Sequence, residues 1–370
     1  MNPGMTTTSA LRVNRRAFLS HASRLLTASS LLRSTGSIAS KADAPLDCGQ
    51  IGTAHPHATG KMAAMQNLPA LCRVIGLAEP DAGRRASLAS SKVFGQIPLM
   101  DEETLLGIPS VRFVTVETAI EYSTVTALRA LKAGKHVYLD KPGGFDHEAF
   151  STMRLEAERL NLTLQMGYML RYNPAFQLLF KAVKEHWLGE ITEVDCSMGK
   201  LFDQSGRAQL RNQPGGAMFE IAGHLVDVIV AVLGKPQSVQ AFDTPTHPDQ
   251  FSDNQLAVLK YPKATACIRT NFADPFGGQR RRFNVTGTQG TFEILPLESG
   301  RVNLSLTLAH GGYKQGSQSI QLEVPKQRYD AEFVDLTRVV RGEKQIEWNA
   351  AHDIAVHETT MRAAGLWKQA

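Results

Sequence analysis

Two stretches of the chain carry side chains that could move a proton. In "AGKHVYLDKPGG" (133–144), Lys141 follows a short β-branched and aromatic run, and Pro142, Gly143 and Gly144 come directly after it. If the run is a parallel strand, Lys141 stands at its carboxyl end, where open α/β sheets bind ligands. A lysine there can donate to a reacting hydroxyl, or take its proton once burial lowers the lysine pKa. Without those surroundings, Lys-Pro-Gly-Gly is only a turn. In "GGAMFEIAGHLVD" (215–227), Glu220 and His224 fall i, i+4 on one face of an expected helix, with Asp227 a further turn along. A carboxylate and an imidazole presented together could orient and deprotonate a sugar or polyol hydroxyl. The plainer alternative is one buried, hydrogen-bonded histidine on an amphipathic helix.

A third stretch could hold a ligand. "GTAHPHATG" (52–60) follows the strand-like "LDCGQI". In a dinucleotide-binding turn three glycines make the bend, admit the pyrophosphate and pack helix on strand. Here Gly52, Ala54 and His57 hold those places, so only the first is glycine. Pro56 suits the first turn of a helix, whose free N–H groups attract an anion, and the imidazoles of His55 and His57 could add donors. A His-x-His metal site is the rival. Two histidines with no cysteine or carboxylate close by in sequence are too few ligands, and no metal is expected. Glu79 ends the next apolar run and could accept hydrogen bonds from ribose hydroxyls, its charge repelling a 2′-phosphate. That favours NAD over NADP, although Arg84 and Arg85 just downstream leave NADP open. The three arginines of "GGQRRRF" (277–283) cannot form one patch on a strand, because successive residues point to opposite faces.

The elements that must position these residues follow from the hydrophobic pattern. From residue 46 apolar runs alternate with helical spacing: "LDCGQI", helix 57–68, "RVIGLA" (73–78), helix "DAGRRASLASS", "VRFVTVE" (111–117), helix "STVTALRALKAG" with Gly134 as a left-handed cap, "HVYLD" (136–140), helix 146–160 and "LTLQMGYM" (162–169). Strand–helix alternation with short turns predicts an α/β fold with a doubly wound parallel sheet. Beyond about residue 170 the pattern changes. After a helix around 174–187 come strand-like runs at hairpin spacing, "ITEVDCSMGKLF" through "SIQLEVP", with 216–233 expected as one amphipathic helix and 328–341 and 351–368 as two more. This predicts a second α/β domain with an open, mostly antiparallel sheet and helices on one face.

The first 42 residues belong to neither domain. "NRRAFLS" (14–20) precedes a weakly apolar run, "LLTASSLL" (25–32), and small residues lead to cleavage points after Ala42 or Ala44. This is the layout of a twin-arginine export signal, and the apolar run is too short and too rich in Ser and Thr to span a bilayer. The expected location is therefore periplasmic, or otherwise exported. Residues 1–42 hold six basic residues and no acidic one, so the formal charge of +5 becomes 5 − 6 = −1 without them. A nucleic-acid footprint is excluded on that balance. Cys48, Cys72, Cys196 and Cys267 are widely spaced, which argues against a disulfide framework and against a cysteine metal clip. No later stretch has the length and hydropathy of a transmembrane helix.

Taken in order, "LCRVIGLAEPD", "AGKHVYLDKP", "QMGYMLRYNPAF" and "GGAMFEIAGHLVDVIVAVLG" resemble the Gfo/Idh/MocA oxidoreductases over residues 46 to 235. The resemblance implies a Rossmann domain at 45–168 and a substrate and oligomerisation domain at 169–370. It also implies a tightly bound NAD, with NADP left open, hydride chemistry on a sugar, cyclitol or glycoside hydroxyl, and assembly as a homo-oligomer, dimer or tetramer. By the same resemblance Lys141 is the residue at the reacting hydroxyl, and Glu220 and His224 form the substrate-side pair. Arg171 and Tyr172 lie by the substrate. Gly52, Ala54, His55, His57, Glu79, Glu117, Thr118, Asp140 and Lys141 line the cofactor. The chain departs from the family in four places: Asp140 for Glu, Glu220 for Asp, Thr118-Ala119 for Thr-Pro, and Ser123 for a frequent His. Two other outcomes remain open for such a chain. One is an NAD-dependent glycosidase that oxidises a sugar only transiently; the other is a non-catalytic carbohydrate-binding protein of the same fold.

Overall fold

The computed structural model describes residues 44–367 apart from Asn212. The expected export signal lies outside the described residues. The first sheet contains β1 (Leu46–Ile51), β2 (Cys72–Ala78), β3 (Leu99–Met100), β4 (Val111–Val116), β5 (His136–Leu139) and β6 (Leu164–Met166), ordered β3-β2-β1-β4-β5-β6. Every pairing is parallel. The crossovers carry α1 (Ala58–Asn67), α2 (Ala82–Leu88), α3 (Glu102–Gly107), α4 (Ile120–Lys132) and α5 (His147–Arg159). All of β1 is buried and β4 nearly so, because helices cover both faces of a parallel sheet, which is why these strands read as continuous apolar runs. The strand order reverses between β1 and β4, and the carboxyl ends of those neighbours open the crevice where such sheets take dinucleotides.

A short 3₁₀ turn (Met169–Tyr172) leads out of the first sheet to α6 (Pro174–Lys184). Next come β7 (Ile191–Gly199), α7 (Gln204–Leu210), α8 (Gly216–Ile221), α9 (Gly223–Leu233), β8 (Ser238–Asp243), β9 (Asn254–Lys260) and β10 (Thr265–Asn271). The chain continues with β11 (Arg282–Gly287), β12 (Gly290–Ile294), β13 (Arg301–Leu306), β14 (Gly316–Gln321), α10 (Asp330–Val340) and α11 (Ala350–Ala363). The second sheet runs β14-β13-β12-β11-β7-β10-β9-β8, antiparallel except for the parallel β7–β10 pair. Alternate residues of β7, β9 and β10 (Val194, Cys196, Ala257, Leu259, Ala266 and Ile268) are buried under α8, α9 and α11. Their neighbours Asp195, Ser197 and Arg269 face a groove of about 610 Å³ on the other side.

The predicted strands and helices recur, with three differences. Residues 216–233 form two helices that meet at Ala222, next to Gly223, where a missing side chain weakens the helix; α9 is buried almost throughout rather than amphipathic. Of 162–169 only Leu164–Met166 is strand. The short elements β3, α3, α7 and β8 carry too little periodicity to be read beforehand. Gly134 has φ +77 and closes α4 as expected, and all four cysteines are free. The three adjacent arginines separate: Arg280 pairs with Asp274 at 2.9 Å, Arg281 with Glu298 at 2.7 Å and Arg282 with Asp195 at 3.0 Å.

Enclosed histidine rings contribute to the acid stability. Burial lowers His136 and His357 to about 4 and holds His224 well below its ordinary value of 6.5. As pH falls below 6.5 the unfolded chain takes up protons on these rings and the folded chain does not, so stability is lost progressively down to about 4. The melting temperature is expected to fall between about pH 7.5 and about pH 5 in a thermal scan. His136→Gln, which removes one such ring, is expected to flatten that dependence.

Candidate active site at the carboxyl edge of the parallel sheet

Four strand ends converge on the crevice. β1 supplies the turn Gly52–His57, β2 supplies Glu79, β4 supplies Glu117 and Thr118, and β5 supplies Asp140 and Lys141. Gly52 takes φ +84, and a Cβ there would stand 2.8 Å from the Thr118 backbone, so the first glycine of the turn is required. On the outer side, Gly52, Ala54, Glu79, Arg84, Thr118 and Tyr122 line a cleft of about 510 Å³. Glu79 is buried and its carboxylate accepts from the Thr53 hydroxyl at 2.5 Å and from the Asp81 N–H at 2.9 Å, which points it at the cleft wall.

On the inner side the two loop histidines turn toward carboxylates. His57 Nδ1 lies 3.1 Å from Asp140 Oδ2. His55 is buried, its Nε2 3.1 Å from the Lys141 carbonyl and its Nδ1 3.4 Å from Glu117 Oε2 and 3.6 Å from Asp140 Oδ2. No carboxylate stands close to these histidines in the sequence; the sheet brings two. Burial pushes Glu117 up to about 7, helped by the charge of Asp140. Burial also works against ionisation of Asp140, but Lys61, His55 and His57 outweigh it and hold its carboxyl well below the usual range.

Lys61, Tyr138, Tyr329 and Glu332 complete this buried network, and none was singled out from sequence. Lys61 is fully buried, 2.7 Å from Glu332 and bonded to the Tyr138 hydroxyl, with its ammonium 3.7 Å from the centre of the Tyr329 ring. Lys61 stands i+4 from His57 at the start of α1, a spacing visible in the sequence. Glu332, on α10, carries no comparable signal.

Lys141 is buried, with only 2% of its side chain exposed. Its Nζ donates to the Glu220 carbonyl at 2.6 Å and lies 3.6 Å from Glu220 Oε1. The expected pair Glu220 and His224 is therefore delivered by two helices, α8 and α9. His224 is buried, stands edge-on to Tyr168 at 6.1 Å, and has no hydrogen-bond partner on Nδ1 among the described residues. Burial, then the charge of Lys141, keeps this ring neutral. Thr118 Oγ1 is likewise buried and has no hydrogen-bond partner among the described residues.

Arg171 and Tyr172 are not presented to this crevice as free ligands. The Arg171 guanidinium is buried between Asp227, at 2.6 Å, and Asp353, at 2.7 Å, and the Tyr172 hydroxyl donates to Asp335 at 3.3 Å. Asp227, expected near the catalytic stripe, is taken up by Arg171 and by His352 at 2.8 Å.

With this geometry in place, comparison with known proteins gives consistent results. The chain is 26% identical over 223 residues to an uncharacterized oxidoreductase of Schizosaccharomyces pombe, covering 56% of this chain and 61% of that protein. It is 26% identical over 196 residues to the trans-1,2-dihydrobenzene-1,2-diol dehydrogenase of Sus scrofa, covering 52% and 57%. The aligned part thus spans less than two thirds of these relatives. Levoglucosan dehydrogenase, solved with NADH and levoglucosan, superposes with a TM-score of 0.75 at 17% identity over 87% of this chain and 97% of that one. The WlbA dehydrogenase of Bordetella pertussis, solved with NADH and UDP-GlcNAcA, gives 0.74 at 16% identity over 88% and 96%. Residues 176–293 match the model of the GFO/IDH/MocA C-terminal domain, and they follow the parallel six-stranded sheet in the chain.

Proposed function

We propose that the protein is an NAD-dependent oxidoreductase of the Gfo/Idh/MocA family that oxidises a hydroxyl of a sugar, cyclitol or glycoside. The observation that carries this reading is the contact of Lys141, at the end of β5, with Glu220 beside the crevice of a 3-2-1-4-5-6 parallel sheet, with His224 within reach of the lysine's field. The bound NADH and sugars of the two solved neighbours support it. The residues fit a dinucleotide: Gly52 makes the tight turn, α1 presents its N-terminus, Glu79 lines the outer cleft, and Thr118 Oγ1 is unclaimed. When bound, NAD accepts a hydride from the carbon that carries the hydroxyl.

The rest of the step falls to this chain's own groups. Lys141 donates a hydrogen bond to the substrate oxygen and stabilises its developing negative charge. His224 shares the acid–base work and receives the hydroxyl proton as the hydride leaves. Glu220, only 13% exposed and 3.6 Å from the lysine, holds a neighbouring hydroxyl. Export through the twin-arginine route, with the cofactor loaded beforehand, and assembly through the open face of the eight-stranded sheet complete the proposal. Among the described residues no helix is long and apolar enough to cross a membrane.

The test is to incubate the purified chain with NAD and a panel of sugars, cyclitols and nitrophenyl glycosides. NADH formation supports the reading. Nitrophenol release without net NADH would replace it with redox-assisted hydrolysis, and failure to bind any dinucleotide would remove it. Glu79→Ala is expected to weaken NAD binding about tenfold, measured by calorimetry, and to narrow the preference over NADP, since one charged hydrogen-bond acceptor for the ribose is lost.

A further inference from the structure

We propose that His55, His57, Asp140 and Glu117 form a site for one divalent transition-metal ion of the zinc class, beneath the N-terminus of α1. The facing donor atoms stand 3.1 Å apart for His57 Nδ1 and Asp140 Oδ2, 3.4 Å for His55 Nδ1 and Glu117 Oε2, and 3.6 Å for His55 Nδ1 and Asp140 Oδ2. A tetrahedral ion with bonds of about 2.0–2.2 Å holds its donors about 3.4 Å apart. The ligand atoms of His55, His57 and Asp140 all lie within 4.8 Å of one another.

The protonation pattern points the same way. The His57 backbone N–H donates to His55 Nδ1 at 3.2 Å, so that nitrogen carries a lone pair, and Nε2–H donates to the Lys141 carbonyl at 3.1 Å. A backbone carbonyl on the far nitrogen is how proteins orient a metal-bound imidazole. That single lone pair accepts from the His57 N–H, and an ion entering between the ring and the two carboxylate oxygens takes the place of that N–H. Glu117 supplies an independent observation: it is fully buried, and neither of its oxygens has a hydrogen-bond partner among the described residues. An unpaired buried carboxylate is expensive, and such groups are normally paired or bound to a metal.

Lys61 is the competitor for Asp140, but it lies 3.8 Å from that carboxylate and 2.7 Å from Glu332, so Glu332 holds it. Asp140 and Glu117 are thereby left facing the two histidines. The His57 side chain, 22% exposed, leaves a path for the ion to enter.

The test uses the full chain, purified without a metal-affinity tag, stripped with a chelator and titrated with Zn²⁺ and, separately, with Co²⁺. No dinucleotide is present, so the result is independent of the oxidoreductase reading. One equivalent is expected to bind, with visible ligand-field bands for Co²⁺ and a rise in melting temperature. His57→Gln and Glu117→Gln are expected to fold, as judged by circular dichroism, and to lose about tenfold or more in Zn²⁺ affinity. Glu117→Gln removes a buried charge, so it also guards against loss of binding through misfolding. The proposal is overturned if the unaltered chain shows no saturable binding and no Co²⁺ bands, in which case protons shared among the four side chains balance the charge. It is overturned equally if both folded variants bind as tightly as the unaltered chain.

Discussion

Replacing Lys141 by Met is expected to lower kcat by about 10²–10⁴ while the protein stays folded and binds dinucleotide, because a positioned acid–base group contributes that much. The side chain is buried, and its ammonium is held by the Glu220 carbonyl at 2.6 Å with the Glu220 carboxylate at 3.6 Å. Methionine fills nearly the same volume, so the change removes the donor with little loss of packing. The ammonium stabilises charge on the substrate oxygen, and its field helps keep His224 neutral. The measurement is steady-state NADH formation at saturating substrate, with NAD affinity determined in parallel. Loss of kcat at unchanged NAD affinity is the expected pattern. Full turnover in the variant would sink the assignment of Lys141 and, with it, the proposed chemistry.

Arg171→Met is expected to destabilise the fold by about 3–5 kcal/mol, the usual effect of breaking a buried ion pair from one side. Arg171 bonds both oxygens of Asp227, reaches Asp353 at 2.7 Å, and lies over the rings of Tyr168 at 4.8 Å and Trp348 at 4.7 Å. Burial works against the guanidinium charge, but the two aspartates outweigh it and raise its pKa. The contacts join the 3₁₀ turn to α9 and α11, the elements that seat Tyr168 and His224. Without the arginine, Asp227 keeps His352 and Asp353 keeps Arg154 at 3.0 Å, too little to balance two carboxylates. Urea unfolding measures the loss. A change under about 1 kcal/mol, in the range of an exposed pair, accompanied by a raised KM, would return Arg171 to the substrate-binding role that the family resemblance implies.

What the sequence determined by itself was what depends on near neighbours along the chain. Strand–helix alternation, the positive-φ glycine at the first turn, the Gly134 cap and the placing of Lys141 at a strand end follow from local periodicity and backbone sterics, and each recurs in the fold. Lys141 and Glu220 were singled out because "LDKPGG" and "GGAMFEIAGH" each carry a local pattern; their contact across 79 positions belongs to the fold. The break at Ala222 was not, since Glu220 and His224 keep helical spacing on either side of it.

Only the tertiary structure decided who stands next to whom across the crevice. β1 pairs with β4, and β4 with β5, so strand ends distant in sequence lie side by side. That order sets Asp140 against His57 across 83 positions and brings Glu117 to His55, turning two histidines with no acidic neighbour in sequence into a four-donor cluster. It also joins Lys61 to Glu332 across 271 positions, and it seats Arg171 between Asp227 and Asp353. In each case the physical reason is the same: a buried charge must find an opposite charge or a ligand, and the topology of the sheet, not the spacing along the chain, decides which one it meets.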